Sequence, residues 1–237
     1  EKVGPLLSDK VRAVRIAAAD LFIGIPKDQI PSEYLASFQK ANTELVSYLR
    51  YQTDFSVGNV MLADYYLKLQ DYPNAESFYL KGLRKDSKMN YALLNLATLY
   101  NTVGQNEASL NTFQKALKNN PTDERIHYNL ALLYNEMNNK TEAENSFAKA
   151  VALKSANPKV YYNYSLLLIQ NKKFKEAEIV LNKGISINPS APELYYALTY
   201  LYIQTNKVNN AQKAAQKLKQ LDPNNSQYLE IFRNLGV

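Results

Sequence analysis

The chemistry open to this chain is bounded by one imidazole, His127, and by the absence of cysteine. Without a thiolate there is no cysteine nucleophile, no disulfide, no thiolate metal site and no covalent haem attachment within these residues. A Ser-His-Asp device could be built at one position only. Carboxylates such as Glu142 and Glu144, or Glu176 and Glu178, stand two apart. On a helix such pairs diverge, and neither a metal site nor an acid/base pair follows from them. The residue types that recur at a fixed interval are instead carboxamides and phenols. Asn95, Asn129 and Asn163 are spaced by 34 residues, and Tyr128, Tyr162 and Tyr196 keep the same spacing. A carboxamide carries donor and acceptor together, so it can pair with one peptide unit of an extended chain whatever that chain's side chains are. Each such bond is worth only about 1 kcal/mol net, so neighbouring residues must supply selectivity. Residues of these types can pair non-covalently with a protein or peptide segment, and no catalytic residue, metal or cofactor is expected.

The elements that position these residues follow from the same interval. The segments YALLNLATLY (91–100), IHYNLALLYN (126–135) and YYNYSLLLIQ (161–170) share one register, and five ungapped blocks result: 56–89, 90–123, 124–157, 158–191 and 192–225. Numbered from 1 within a block, position 8 is small (Ala63, Ala97, Ala131, Ser165, Thr199), and so is position 20 (Ala75, Ser109, Ala143, Ala177, Ala211). Position 24 is mostly large (Tyr79, Phe113, Phe147, Leu181, then Ala215), and position 27 is mostly small (Gly82, Ala116, Ala150, Gly184, then Leu218). Two amphipathic helices per block fit this spacing. Gly104, Asn138-Asn139, Asn171 and Asn206 sit between them and tolerate the left-handed conformation that ends a helix. Pro121, Pro189 and Pro223, with Pro158 and Pro192, mark block boundaries. The composition agrees, with 46% apolar residues, 7 Gly, and 19 Tyr and 8 Phe without Trp, as repeated helices with short turns would give.

These residues resemble the tetratricopeptide repeat family, in which a helix-turn-helix unit prefers Leu at 7, a small residue at 8, Tyr at 11, Ala at 20, an aromatic at 24, Ala at 27 and Pro at 32. Position 11 here reads Tyr66, Tyr100, Tyr134, Leu168, Tyr202. The resemblance implies an all-α, right-handed solenoid whose first helices line a concave groove, with positions 2, 5, 6, 9, 12 and 13 facing it. The groove residues it selects are Asn95, Asn129 and Asn163 at position 6, Tyr128, Tyr162 and Tyr196 at position 5, and Tyr91, Arg125 and Lys159 at position 2. An aromatic strip beside two cations suits apolar or aromatic ligand side chains with an acidic group nearby. The two-carboxylate clamp of chaperone-binding relatives is not expected, because position 9 holds apolar, Tyr, Asp or Thr residues and position 5 lacks Lys. His127 falls at packing position 4, and the tyrosines of positions 11 and 24 are expected in the core. Asn59, Ser87, Ser155, Ala215 and Leu218 depart from the family pattern and predict irregular packing near the ends.

Outside the blocks, residues 1–55 read as N-terminal helices and 226–237 as a capping helix. Ser8-Asp9 can cap a helix carrying Val11, Val14, Ala18 and Leu21, and a second helix over 32–51 would bury Leu35, Phe38, Leu45, Tyr48 and Leu49. The stretch LLSDKVRAVRIAAADLF resembles the second helix of a HEAT-type repeat. A HEAT-like helix leading into tetratricopeptide repeats also resembles the C-terminal region of bacterial multihaem c-type cytochromes. That resemblance implies a second reading, an accessory domain of a larger extracytoplasmic redox protein, though this chain has no haem-attachment motif. A self-associating scaffold using the Tyr-rich face is a third. After Asn225, Tyr228, Leu229, Ile231, Phe232 and Leu235 share one helical face, as a cap over the last block requires.

The net charge of +6 is mild, and its excess lies over 158–237, in lysines of turns and second helices. A solvated face accounts for these lysines, and no nucleic-acid partner is expected. No apolar run reaches the ~18 residues of a membrane span. The first apolar stretch is broken by Arg12, Arg15 and Asp20, so no signal peptide is visible. The compartment is left unread by composition, and only the cytochrome-like resemblance leans extracytoplasmic.

Overall fold

The structure, a computed structural model, describes residues 2–237. Among them the chain forms thirteen α-helices and no strand. They fall into two compact units, Glu1–Asn120 and Pro121–Val237.

The first unit holds α1 (Arg12–Phe22), α2 (Ser32–Tyr51), α3 (Ser56–Lys68), α4 (Tyr72–Lys85), α5 (Asn90–Thr102) and α6 (Asn106–Asn119). Helix α2 occupies the span expected for it, while the start of the chain differs from expectation. Ser8 closes a 3-10 turn, and Asp9 Oδ1 accepts from the backbone N–H of Val11 at 2.7 Å instead of capping α1. Val11, the N-cap residue, offers no side-chain bond. Ala18 and Ala19 are the buried residues of α1, because small side chains let its backbone approach α2; Val11 and Leu21 face away and are exposed. Arg15 fastens the pair. Its guanidinium donates to both Glu44 oxygens, at 2.7–3.2 Å, and to the Asp9 carbonyl at 2.8 Å. Arg15 holds the Glu44 carboxyl below its usual range through that hydrogen bond. Tyr48 is exposed, and the core of α2 is Ala41, Leu45 and Leu49. Asn59, polar where the pattern wants an apolar residue, is buried, and its Nδ2 donates to the carbonyls of Thr53 and Phe55 at 2.6 and 2.8 Å. It thereby ties α3 to the turn before it. Next to it, Gly58 lies so close to that turn that a Cβ would sit 1.8 Å from the Gln52 oxygen.

The second unit holds α7 (Glu124–Glu136), α8 (Lys140–Ala152), α9 (Pro158–Gln170), α10 (Phe174–Ile187), α11 (Pro192–Gln204), α12 (Val208–Leu221) and α13 (Leu229–Leu235). Asp123, Asn139 and Asn157 cap α7, α8 and α9 through their side chains, and Pro192 opens α11. Phe147, Tyr161, Leu168, Leu181 and Leu194 are fully buried between the pairs. At the end of the chain the departures Ala215 and Leu218 find their reason: the small Ala215 and buried Leu218 receive Tyr228 and Phe232 of the cap in one cluster. Leu229, expected on that face, is exposed. His127 is buried with Nε2 2.8 Å from the Pro121 carbonyl oxygen, so that nitrogen carries the proton and donates.

The turn inside each helix pair has one construction. Gln70, Gly104, Asn138, Lys172 and Asn206, all at block position 15, have φ between 55° and 76°. The next N–H then reaches back to the carbonyl of position 11, at 2.8–2.9 Å, closing the helix end. The left-handed residue of the fourth block is thus Lys172 and not Asn171, and Gln70 takes the role without any favourable residue type. Successive pairs are joined by a second device. Glu76 accepts from the Tyr100 hydroxyl at 2.8 Å; Glu178 accepts from Tyr202 at 2.8 Å and from Lys207 at 3.0 Å; Glu144 pairs with Lys173. A carboxylate on the second helix of one pair is clasped by the first helix and turn of the next.

Because a left-handed L-residue is strained by about 1–2 kcal/mol and glycine there is not, Gln70→Gly should gain about 0.5 kcal/mol after the entropy of glycine is set against it. Gln70→Val should lose stability, and urea-unfolding midpoints of both variants check the pair. Lys207 and Tyr202 hold the Glu178 carboxyl below its ordinary value. Its contribution is fully present above the unfolded carboxylate pKa of about 4.3 and is lost as pH falls through the lowered folded value. Glu178→Gln should therefore melt lower than wild type at pH 7 and converge with it as pH drops below 4, in thermal melts across that range.

Candidate functional site

In the second unit, α7, α9 and α11 enclose a cleft of about 690 Å³. Of the residues expected from the sequence, Tyr162, Asn163 and Tyr196 line it. Tyr196 is steadied from behind by Tyr228 of the C-terminal cap, ring centroids 5.2 Å apart. Burial raises the Tyr162 phenol pKa, with Tyr196 and Glu193 adding to the rise. Asn163 Nδ2 donates to the Tyr128 hydroxyl at 2.8 Å. Tyr128 itself is half-buried, with its ring 6.2 Å from that of Phe147. The Asn163 carbonyl oxygen accepts no hydrogen bond from the described residues, and neither does the half-buried Asn129 carboxamide form one.

The two position-2 cations are not part of this cleft. Arg125 folds onto Asp123, the N-cap residue of α7, donating from Nε at 2.9 Å and Nη2 at 2.7 Å, and so lowers the Asp123 pKa. Lys159 is exposed. The charge on the lining comes instead from Lys172, one of the turn lysines expected on a solvated face. Lys172 lines the cleft together with Asn135, Gln170 and Gln204, and its backbone is left-handed. Leu132, Leu166 and Tyr200, the position-9 residues of three successive blocks, also line it and were not singled out. The signal that finds them is the same 34-residue register, extended from positions 5 and 6 to position 9.

Tyr91 and Asn95 lie in the first unit and converge on Asp64, the position-9 residue of the first block. Asp64 Oδ2 accepts from the Tyr91 hydroxyl at 3.0 Å, and Oδ1 accepts from Asn95 Nδ2 at 3.1 Å and from the Tyr79 hydroxyl. Burial, reinforced by the Asp64 carboxylate, drives the Tyr79 phenol pKa far upward. Asp64, Tyr91, Met61 and Tyr48 line a cleft of about 590 Å³ bounded by α1, α2, α3 and α5. Among the described residues no group of three or more His, Cys, Asp or Glu could hold a metal ion, and no helix is long and apolar enough to cross a membrane.

Paired helices with small residues at fixed crossings, one left-handed turn position and lined clefts on the first helices define a helical-repeat scaffold. The chain belongs to the tetratricopeptide repeat family: a model described as TPR repeat matches residues 99–138, and one described as Tetratricopeptide repeat matches 124–157, 158–190 and 192–225. Similar solved structures include pilF of Pseudomonas aeruginosa, with TM-score 0.66 and 19% identity over 94% of this chain and 99% of that one. Yeast Tom70 aligns at TM-score 0.72 and 18% identity, over 95% of this chain and 46% of its own. YrrB, described as a TPR protein with an unusual peptide-binding site, aligns at TM-score 0.59 and 16% identity over 79% of this chain and 97% of that one. At these identities the likeness is one of fold. No curated protein matches the sequence.

The two position-6 asparagines of the second unit should separate in a stability measurement. Asn163→Ala removes a hydrogen bond and leaves Tyr128 without its donor, costing about 1 kcal/mol. Asn129→Ala should stay within about 0.5 kcal/mol of wild type. Urea unfolding of the two variants is the check.

Proposed function

We propose that this repeat scaffold is a non-catalytic binding protein that takes an extended protein or peptide segment into the cleft of α7, α9 and α11. The observation that carries the reading is the lining: Tyr162, Tyr196 and Tyr200 beside Leu132 and Leu166, with carboxamides from Asn135, Asn163, Gln170 and Gln204. Phenols and aliphatic chains offer apolar area at small entropic cost, while carboxamides satisfy peptide groups that would otherwise be buried unpaired. The Asn163 carbonyl is available for a ligand N–H, and the Nδ2 bond to Tyr128 fixes its direction beforehand. Lys172 suits a carboxylate at the end of the segment where it stands. The description of YrrB as possessing a peptide-binding site supports the same use of a related fold. Asn95, Asn129, Arg125 and Lys159 stand outside the core of this proposal, the first being in the other unit and the others absent from the cleft lining.

The test is selection from a displayed random dodecapeptide library on the wild-type protein. Enriched peptides rich in apolar and aromatic residues are expected, and their affinity should fall at least tenfold on Tyr162→Ala and on Tyr200→Ala, as for central aromatic contacts. Failure of any peptide to enrich, or affinity indifferent to both substitutions, overturns the reading.

A further inference from the structure

We propose that the cleft of the first unit is a second binding site, and that its occupant is an arginine side chain presented by a partner segment, with the guanidinium seated on Asp64. The cleft has an unbalanced charge. Its other acid, Asp20, is closed by Lys68, whose Nζ lies 2.7 and 2.8 Å from the two carboxylate oxygens. Asp64 has no such partner: none of the ion pairs among the described residues includes it, and its donors Tyr79, Tyr91 and Asn95 are all neutral. The carboxyl group therefore lines a largely apolar space with no cationic partner of its own.

The carboxylate is also aimed. A carboxylate offers about four lone-pair sites; Oδ1 accepts two hydrogen bonds here and Oδ2 accepts one. The remaining site on Oδ2 has the phenol of Tyr91 beside it. Three donors from α4 and α5 fix the group before any ligand arrives, which lowers the entropic cost of pairing. Around it the exposed side chains of Tyr48, Met61 and Tyr91 provide what an arginine stem and head require, a flexible thioether to cover methylenes and aromatic faces for a planar cation. The sign of this cleft is opposite to that of the second unit, whose lining charge is Lys172, so the two sites select different groups and fail independently.

The probe is n-butylguanidinium, titrated into ¹⁵N-labelled protein beside the neutral n-butylurea at equal ionic strength. Saturable shifts at the amides of Met61, Asp64 and Tyr91 are expected with the cation and absent with the urea. Asp64→Asn should weaken the cation at least fivefold. Should that variant lose its fold, Met61→Lys decides alone: at an exposed position, it places a tethered ammonium beside Asp64 and should abolish the shifts. Equal shifts from butylurea, or binding that survives Met61→Lys, overturn the proposal. Concentration-dependent dimerisation in sedimentation that Met61→Lys abolishes would assign the cleft to a second copy and overturn it equally. Tyr200→Ala, in the other unit, should leave the guanidinium titration unchanged, so failure here and failure of the peptide reading are told apart.

Discussion

Helix crossings close enough to bring backbones nearly into contact underlie everything else in this protein. At block positions 8 and 20 the ten residues are Ala, Ser or Thr, and every one of them is 0% exposed. A larger side chain at any of them would push two helices apart and with them the pairs stacked on either side. Where the small residue is polar, its hydroxyl is satisfied locally: Ser109 donates to the Ala97 carbonyl at 2.8 Å, Ser165 to Tyr162 at 2.7 Å and Thr199 to Tyr195 at 2.8 Å. The crossing therefore tolerates a hydroxyl without a buried unpaired group. Close approach also brings the first helices near enough to one another for their exposed edges to form clefts instead of isolated ridges.

Much of the fold was legible because those crossings repeat. The helix pairs and the burial of Tyr79, Phe113 and Phe147 follow from residue size at fixed intervals. What resisted reading was set by contacts that no interval encodes. Of Val11, Val14, Ala18 and Leu21, the apolar residues expected on the first helix, Ala18 is buried with Ala19, whereas Val11 and Leu21 are exposed. Gln70 and Lys172 adopt the left-handed turn because the helices on both sides impose it, overriding residue preference. Arg125 was expected to serve a ligand; a carboxylate two residues earlier captures it.

The candidate sites show the same division. Tyr162, Asn163 and Tyr196, selected by the family resemblance at positions 5 and 6, line one cleft, whereas Val60 and Leu94 at position 5 of the first two blocks are buried. Asp64 was not selected, because its significance depends on Tyr79 reaching it from the paired helix and on Tyr91 and Asn95 reaching it from the next pair. A phenol that looked like packing at position 24 turns out to be part of a charged centre. The register thus identifies which surface is available, while the sign of its charge is written in cross-repeat hydrogen bonds.

The carboxylate clasps between successive pairs carry a mechanical meaning. In the second unit, Glu144 with Lys173 and Glu178 with Lys207 bridge neighbouring pairs through side chains that are partly open to solvent. Interactions of that kind are screened as salt is added, whereas the apolar crossings are not. In that unit two springs in parallel therefore join neighbouring pairs, one stiff at every ionic strength and one whose stiffness the medium sets. Dilute salt would hold the joints of the second unit firm, and concentrated salt would leave them freer to move about their small-residue crossings, widening or narrowing its cleft.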